Sequence, residues 1–492
     1  MAAPTAPRAY AAVDLGASSG RVVLGARRGA AWEFEEVHRF TNEVVDTHRG
    51  DAWDLERLFA ETLTGLARAV ARCAARGEQL AGIGVDSWGV DWVLRAPDGE
   101  IELPGRSYRG APDPAPAIAA RGLSGVSSAE AFAVTGVPDQ AINTALRLAD
   151  EAGQRTFSGE QLLFIPDLWL FWLTGVVGTD PTIASTSQLF AAHAGAFSAP
   201  LAAAHGLAGF RLPPVAPVAS LVGALAPELR ERIGAATEVP VYRVAGHDTA
   251  AAFAFAEPVA GGATEALISS GTWSLVGGAL PEPVTTPEAA ALGFTNERGA
   301  SGTLLLRNLT GLWMLQECLR EWGAGTQERD ALLAEVESAP FDARTFDTSA
   351  PELLHAGDME ARVRRLCAAA GRPLAESRAS VVHAIIDSLA VAYAAGVDAF
   401  ARLSGASVDR IRIVGGGSRN ARLCRLTAEL ARLPVLAGPT EASAIGNVAL
   451  QALASGEVAH AQDVFAAIDP AHTRHFQYPN TDQARDAEEP QQ

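Results

Sequence analysis

Residues 13–25, VDLGASSGRVVLG, constrain the fold of this chain more than any other stretch. Two short apolar runs with β-branched residues flank a turn of five small residues, which is the pattern of a β-hairpin. Such a turn leaves backbone N–H groups free to bind an anion such as phosphate. The usual nucleotide-binding loop contains a Lys and opens a helix, whereas this turn does neither. The stretch therefore predicts a phosphate-binding hairpin, with a plain hairpin turn as the alternative.

The same turn also matches the G-x-S-x-G pattern of serine hydrolases. That nucleophile turn joins a strand to a helix and normally follows several earlier strands of its sheet. Here only fifteen residues precede Gly16, and the following RVVLG alternates like a strand. These features argue against a hydrolase.

The absence of Lys excludes several classes of site. All 39 basic residues are Arg, which rules out a GxxxxGK[ST] loop, a lysine Schiff base and the strand lysine of protein kinases. A net charge of −18 would repel nucleic acid and anionic membranes, so neither is an expected partner. The chain begins without the pattern of a secretory signal, and its four cysteines lack metal-ligand spacing, which favours a cytoplasmic protein.

The length of 492 residues suggests more than one domain. A second stretch, EALISSGTWSLVGG, repeats the order of strand, hydroxyl-rich turn and strand, so we expect a duplicated α/β domain, with chance similarity as the alternative. Hairpins combined with helical crossovers predict mixed sheets. The predicted domains are an N-terminal one over 1–245 and a C-terminal one over 246–478, followed by a disordered tail over 479–492.

Three helices matter for the argument. Apolar spacing predicts one between Asp54 and Gly77 and a long core helix that ends at Gly405. A third is predicted for RNLTGLWMLQECL, with Asn308 at its start as a sugar contact or an N-cap. Its expected core residues are Leu309, Leu312 and Trp313.

The first hairpin offers the groups that a polyphosphate needs. The hydroxyls of Ser18 and Ser19 and the backbone amides can donate to phosphate oxygens, and Arg21 can add positive charge. Asp14, at the end of the first strand, is suited to hold Mg²⁺ directly or through water, since this ion prefers carboxylates, waters and phosphate. The alternative is that Asp14 caps the turn.

The second hairpin and a glycine-rich turn extend this prediction. Ser270, Gly271 and Thr272 would bind the other side of the same phosphates. The segment GGGSRN would let a nucleoside approach the backbone closely at residues 415–417. It is not a dinucleotide fingerprint, because Asn420 stands where the third glycine should be.

GHDTAAAF is the best candidate for chemistry. Asp248 follows an apolar strand and precedes an Ala-rich helical run, whose positive end would favour an ionised carboxylate. Such a carboxylate can deprotonate an attacking hydroxyl in phosphoryl transfer. The alternative is that Asp248 or Thr249 caps the helix. In VDSWGVDW, Asp86, Asp91 and the tryptophans could bind a sugar, or form a half-buried hairpin.

Over nearly its whole length, the chain resembles the FGGY carbohydrate kinases. The motifs that carry the resemblance, in chain order, are VDLGASSGR, GVDSWGVDWVL, LPGRSYR, IPDLWLFWLTG, GHDTA, SSGTWSL, RNLTGLWMLQ, IVGGGSRN and GPTEASAIGN. The resemblance implies two actin-like (ribonuclease H-like) α/β domains with a ligand cleft between them. It also implies transfer of the γ-phosphoryl group of ATP, with Mg²⁺, to the 1-hydroxyl of L-rhamnulose in L-rhamnose breakdown.

The resemblance also implies the roles of individual residues. Asp248 would be the general base and Asp14 the metal ligand. The ATP-binding residues would be Ala17, Ser18, Ser19, Gly20, Arg21, Thr272, Gln316 and Gly416. The substrate-binding residues would be Gly89, His247, Asp248, Thr249 and Asn308. The expected partners are a ketose and ATP, and the chain is expected to be a monomer or a homodimer.

Two departures from the family pattern concern the sugar. Gly110 follows Tyr108 and Arg109 where an Asp is expected, and the next segment, APDPAPAI, is rich in Pro. A related kinase for another ketose such as L-fuculose is therefore one alternative. Another is an actin-like sensor that binds ATP and sugar without turnover, against which the presence of Asp248 and Asp14 argues.

Overall fold

The structure is a computed structural model, and it describes residues 7–47, 50–256, 258 and 263–478. The predicted tail over 479–492 lies outside the described residues. Contacts between residues divide the chain into two compact units. The first comprises Met1–Pro258, Ala279–Leu305 and Ala442–Asp469, and the second comprises Val259–Gly278, Leu306–Glu441 and Pro470–Gln492.

Both units are built from strands and helices. The strands are β1 (Arg8–Leu15), β2 (Ser19–Arg28), β3 (Ala31–Thr41), β4 (Val44–Thr47), β5 (Gly50–Trp53), β6 (Gln79–Ser87), β7 (Trp92–Arg95), β8 (Ile101–Glu102), β9 (Gly105–Arg106), β10 (Gln161–Phe164), β11 (Phe190–Ala191), β12 (Ala196–Phe197), β13 (Ser220–Ala224), β14 (Pro240–Arg243), β15 (Ala263–Ser270), β16 (Trp273–Leu280), β17 (Phe294–Arg298), β18 (Thr303–Thr310), β19 (Ser407–Val414), β20 (Val435–Ala437) and β21 (Arg474–Phe476). The helices are α1 (Leu55–Arg76), α2 (Ala115–Leu123), α3 (Ser128–Thr135), α4 (Thr144–Gln154), α5 (Ile165–Thr174), α6 (Pro181–Ser185), α7 (Ala199–Ala204), α8 (Pro227–Arg232), α9 (Asp248–Ala252), α10 (Pro287–Ala291), α11 (Trp313–Glu321), α12 (Thr326–Glu337), α13 (Met359–Ala369), α14 (Arg378–Ser404), α15 (Ala421–Ala431), α16 (Ala442–Ala454) and α17 (Gln462–Ala466). Short 3-10 helices cover Tyr108–Gly110, Pro351–Leu354, Gly416–Arg419 and Pro470–His472.

The main sheet of the first unit has the strand order β13-β14-β6-β1-β2-β3. Strand β1 pairs antiparallel with β2 and parallel with β6, so the predicted hairpin and the predicted mixed sheet are confirmed. The crossover helix α1 begins where Asp54 accepts a hydrogen bond from the N–H of Arg57, and it ends at Gly77 in the left-handed conformation, as predicted. Residues 9–13 of β1 are buried and largely apolar, as a central strand requires.

Helix α16, near the end of the chain, packs on this same sheet. Gly82 and Gly84 of β6 make room for it, because a Cβ at Gly84 would overlap the Oδ1 atom of Asn447. Gln451 donates a buried hydrogen bond to the carbonyl of Ala11, 3.1 Å away. The compact units are therefore discontinuous in sequence, and the predicted domains over 1–245 and 246–478 stay a prediction.

The second unit repeats the strand arrangement of the first. Its strands are hydrogen-bonded in the order β18-β16-β15-β19-β20-β21. Strand β15 pairs antiparallel with β16 and parallel with β19, just as β1 pairs with β2 and β6. The shared arrangement supports the predicted duplication rather than a chance similarity of short strands.

Helix α14 forms the core of the second unit and ends at Gly405, as predicted. By length and composition alone it could cross a membrane, but 67% of its most apolar window is buried inside the protein. Its residues Val381, Ile385 and Leu389 are fully buried in the apolar cluster of this unit. Helix α14 is therefore a core helix.

The prediction for RNLTGLWMLQECL was partly wrong. Strand β18 runs through Asn308 to Thr310, and α11 begins only at Trp313, with Leu312 as its N-cap residue. Asn308 is exposed in the strand and caps no helix. Strand β18 begins with the buried residues TLLL and continues to Thr310. Leu309 is in the core as predicted, and Leu312 and Trp313 pack against it partly buried.

Candidate active site

The first hairpin presents a tight, reachable loop. The N–H of Gly16 donates to the carbonyl of Ser19 at 2.9 Å, and Asn42 supports the loop by donating to the carbonyl of Gly16 at 2.9 Å. Ser18 is exposed at the tip. Gly20 must be a glycine, because a Cβ there would overlap the ring of Phe40. Of the predicted residues 17–21, Gly20 is therefore buried, and the other four are exposed or half-buried around the turn.

Two arginines add positive charge to this loop. Arg109 donates from Nη2 to the carbonyl of Ala17 at 2.9 Å. Arg21 faces Asp14 across the hairpin and binds its Oδ2 atom through Nε at 3.0 Å and Nη2 at 2.7 Å. Asp14 is only 3% exposed and lies within β1, so it does not cap the turn.

Asp14 and Asp86 are neighbours in adjacent parallel strands, at the same register. Asp86 is fully buried; its Oδ2 accepts from Nδ2 of Asn447 at 2.6 Å, and its Oδ1 has no hydrogen-bond partner among the described residues. Burial raises the pKa of Asp86 well above its usual range, and the nearby charge of Asp14 raises it further. Because Asp86 is fully buried, the predicted direct sugar contact is wrong for this residue.

The carboxylate of Asp91 also forms its hydrogen bonds within the protein. Its Oδ2 accepts from the indole N–H of Trp53 at 2.6 Å and of Trp88 at 2.9 Å, and its Oδ1 accepts from Nη1 of Arg147 at 2.5 Å. Asp91 is fully buried, and both tryptophans are buried as well. The prediction that Asp91 and the indole of Trp88 bind a sugar is therefore wrong: the hairpin uses them to order its own interior.

The predicted base, Asp248, is the first residue of the short helix α9. The N-cap residue is His247, and no side chain caps the helix, so the capping alternative for Asp248 and Thr249 is wrong. Thr249 donates from Oγ1 to Oδ1 of Asp248 at 3.2 Å. About a third of the Asp248 side chain, 30%, is exposed, so a ligand can reach it.

The electrostatic setting of Asp248 differs from the prediction. The five-residue helix α9 was expected to favour the ionised carboxylate, but partial burial outweighs it and raises the pKa of Asp248. The charge of His247 opposes this increase, whereas the charge of Asp14 adds to it. A carboxylate with a raised pKa is a stronger base than a free one.

His247 lies between two carboxylates. Its Nδ1 is 2.9 Å from Oε2 of Glu297, and its Nε2 is 3.5 Å from Oδ1 of Asp248. Burial alone would lower the pKa of His247, but the charge of Glu297 raises it to about 9. Gly89 lies beside the ring, since a Cβ there would be 3.3 Å from Nε2. The predicted sugar residues Gly89, His247, Asp248 and Thr249 are thus close together in the first unit.

The second unit brings together the other predicted nucleotide residues. Thr272 donates from Oγ1 to Oε1 of Gln316 at 3.3 Å. The glycine-rich turn lies against the second hairpin, because a Cβ at Gly417 would overlap Oγ of Ser270. Gly416 opens the 3-10 helix of this turn.

Comparison with known proteins identifies the family. The C-terminal domain of the FGGY family of carbohydrate kinases matches residues 266–455, and its N-terminal domain matches residues 121–254. The chain is 36% identical to a rhamnulokinase of Bacteroides thetaiotaomicron over 479 residues, which are 95% of this chain and 96% of that protein. The chain belongs to the FGGY family of carbohydrate kinases.

Other relatives of this FGGY kinase agree. A rhamnulokinase of Klebsiella pneumoniae is 33% identical, over 92% of this chain and 91% of that protein. The crystal structure of a gluconate kinase from Lactobacillus acidophilus superposes with a TM-score of 0.75 at 14% identity, covering 98% of this chain and 95% of that one. The predicted actin-like α/β fold is confirmed by this likeness.

The FGGY kinase also has functional candidates that sequence reasoning missed. Glu297 was not predicted, although a carboxylate inside the buried strand FTNER was a signal for it. Tyr393 was hidden in the apolar pattern of α14, and its hydroxyl lies 2.7 Å from Oγ of Ser270 and 2.6 Å from Oγ of Ser274. Among the described residues, no cluster of three or more His, Cys, Asp or Glu side chains could hold a metal ion by itself.

Proposed function

We propose that this FGGY kinase transfers the γ-phosphoryl group of ATP to the 1-hydroxyl of L-rhamnulose, giving L-rhamnulose 1-phosphate and ADP in L-rhamnose breakdown. The relatives named rhamnulokinase, which match more than nine-tenths of the chain, support the choice of sugar. The observation that carries the proposed chemistry is the position of Asp248. It is reachable, it has a raised pKa, and it lies beside His247.

In the proposed mechanism, Asp248 accepts the proton of the sugar hydroxyl while that oxygen attacks the γ-phosphorus of ATP. The new O–P bond forms as the bond from the γ-phosphorus to the β-γ bridging oxygen breaks, and ADP leaves with that oxygen. The hydrogen bond from Thr249 orients the carboxylate for this transfer. Base catalysis of this kind contributes about 10²- to 10⁴-fold to the rate.

Each unit contains residues that we propose bind ATP. Ala17, Ser18, Ser19 and Gly20 supply backbone amides and hydroxyls, and Arg21 supplies positive charge. In the second unit Thr272, Gln316 and Gly416 are the proposed nucleotide contacts, and the pairing of Thr272 with Gln316 supports their common role.

The residues around Asp14 fit a magnesium ion. Carboxylate oxygens are the ligands that Mg²⁺ prefers, and the ion usually keeps waters and phosphate oxygens besides one or two carboxylates. The carboxylate of Asp14, near the end of β1, is such a donor. When bound, Mg²⁺ would neutralise charge on the phosphates. We propose Asp14 as its ligand, directly or through water.

The proposed sugar contacts are Gly89, His247, Asp248, Thr249 and Asn308. Gly110, the departure from the family pattern, packs tightly: a Cβ there would be 2.8 Å from Cβ of Asp51. An Asp at position 110 would therefore require Asp51 to move. With Gly110, the sugar is bound without a carboxylate at this position. We further propose a cytoplasmic monomer or homodimer whose partners are a ketose and ATP, without nucleic acid or membrane.

A coupled assay of ADP release over a panel of ketoses tests this function. We expect the highest kcat/KM with L-rhamnulose. Higher kcat/KM with L-fuculose or D-xylulose would assign a different sugar, and a lack of turnover with every ketose would favour a sensor that binds ATP and sugar.

A further inference from the structure

Glu297 and His247 form a buried ion pair beside the proposed base. Oε2 of Glu297 is 2.9 Å from Nδ1 of His247, and the two residues are 6% and 8% exposed. The contact does not meet the geometry of a regular hydrogen bond, so the two residues interact mainly through the attraction of their charges. Isolated buried charges are costly, so each of these groups depends on the other.

The backbone holds Glu297 rigidly on both sides. The N–H of Asn296 donates to the carbonyl of Gly136 at 2.8 Å, and the N–H of Arg298 donates to Oγ of Ser185 at 2.9 Å. Strand β17 therefore fixes the carboxylate of Glu297 against the imidazole. The main-chain N–H of His247 is held in turn by Oγ1 of Thr182 at 3.2 Å.

Three acidic groups raise the pKa of His247. Glu297 lies on β17, Asp248 on α9, and Asp180 is the N-cap residue of α6. Farther along the same electrostatic network, Asp14 acts on Asp248, and Asp248 acts on Asp86. A positive charge on His247 thus opposes the increase in the pKa of Asp248 that burial and the charge of Asp14 cause.

We infer that Glu297 is a positioning residue for phosphoryl transfer: it holds His247 as an imidazolium whose Nε2–H faces Asp248, and so keeps the base ionised. The inference rests on the proposed function of Asp248. Without the charge of Glu297, burial would favour the neutral imidazole, and Asp248 would lose the positive neighbour that opposes its protonation. Glu297 itself need not touch the sugar or ATP.

Titration of His247 by NMR tests the charge state without any catalytic assay. Its signal among the ten histidines is assigned with the His247→Gln variant. In the wild type we expect a pKa of about 9, and in Glu297→Gln a pKa lower by at least one unit. A wild-type pKa near 6.5, or no change in Glu297→Gln, would overturn the inference. If the variant fails to fold, the wild-type titration still tests whether His247 is an imidazolium.

The matched control is Glu78→Gln. Glu78 is a buried carboxylate of the same unit, with 7% of its side chain exposed, and it binds Nη2 of Arg28 at 2.7 Å. We expect this variant to leave the His247 titration and the enzyme activity unchanged. Glu297→Asp, which keeps the charge, should restore a raised His247 pKa.

The pH profile of kcat/KM tests the consequence for catalysis. Asp248 must be deprotonated to act, so activity falls as pH drops below its pKa. In Glu297→Gln the pKa of Asp248 rises, and the acid limb should move up by about one pH unit, which lowers kcat/KM about tenfold on that limb. If the acid limb of the kcat/KM profile stayed at the same pH in a folded Glu297→Gln variant, the inference would be contradicted. If the wild type turned over no ketose, the proposed function would fail, while the NMR result would still stand.

Discussion

Nη2 of Arg21 lies 2.7 Å from Oδ2 of Asp14, across the first hairpin. The two residues are directly opposed in the antiparallel register, so the hairpin itself holds the cation beside the carboxylate. A chain without Lys thus has a fixed positive charge at the end of the strand where the phosphates are proposed to bind. Arg21 is 20% exposed in its side chain and remains within reach of a ligand.

Removal of the Arg21 charge should weaken ATP use. Arg21→Met would leave Asp14 without its partner and remove a donor to phosphate, so kcat/KM for ATP should fall about tenfold or more. Steady-state kinetics with varied ATP measure this effect. Arg27→Met, at an exposed position of the same strand, is the control and should behave like the wild type. Equal kinetics of the two variants would remove Arg21 from the ATP site.

Asp248→Asn should keep sugar binding and lose most of kcat, by about 10²-fold or more, because a positioned base is removed. Calorimetry measures the sugar affinity and the ADP-release assay measures kcat. Asp398→Asn, whose side chain is 84% exposed on α14, is the control and should retain full activity. Activity of Asp248→Asn within a few-fold of the wild type would exclude Asp248 as the base.

The sequence predicted more of the fold than of the site. The turn VDLGASSGR fixed the hairpin, and Asp54 and Gly77 marked both ends of α1, because these signals are local. Contacts between distant segments could not be predicted. Asn447 binds Asp86 across 361 positions of the chain, and no periodicity reports such a pairing. Asp91 was interpreted as a sugar ligand because its partner Arg147 lies in a helix distant in sequence, and this pairing could not be predicted either.

Tyr393→Phe should impair the nucleotide site selectively. The loss of one hydroxyl leaves Ser270 and Ser274 without their shared partner in the buried base of the second hairpin, at a cost of about 1–3 kcal/mol in the free energy of unfolding. We expect a higher KM for ATP and an unchanged KM for the sugar.

Tyr10→Phe is the matched control for Tyr393→Phe. The hydroxyl of Tyr10 also has two partners, Ser455 and Glu457, each at 2.6 Å, but within the first unit. This variant should lose a similar amount of stability without a change in KM for ATP. If both variants raised that KM equally, the effect would reflect stability rather than the geometry of the second hairpin.

The close packing of α16 on β6 can be tested at Gly84. In Gly84→Ala the new Cβ would overlap Oδ1 of Asn447 and lie 2.8 Å from Nε2 of Gln451. We expect a loss of about 1–3 kcal/mol in the free energy of unfolding measured by urea denaturation. Gly122→Ala, where the Cβ meets no atom within 4 Å, should be neutral or slightly stabilising. Equal stability of the two variants would contradict the packing described for α16.

The central claim is most directly tested by identifying the product made from L-rhamnulose and ATP. Phosphorus NMR of the reaction mixture should show a phosphomonoester coupled to the protons on carbon 1, formed in equal amount with ADP. The Asp248→Asn enzyme should form neither at a comparable rate. A phosphate on another carbon, or ADP formed without a sugar phosphate, would contradict the account.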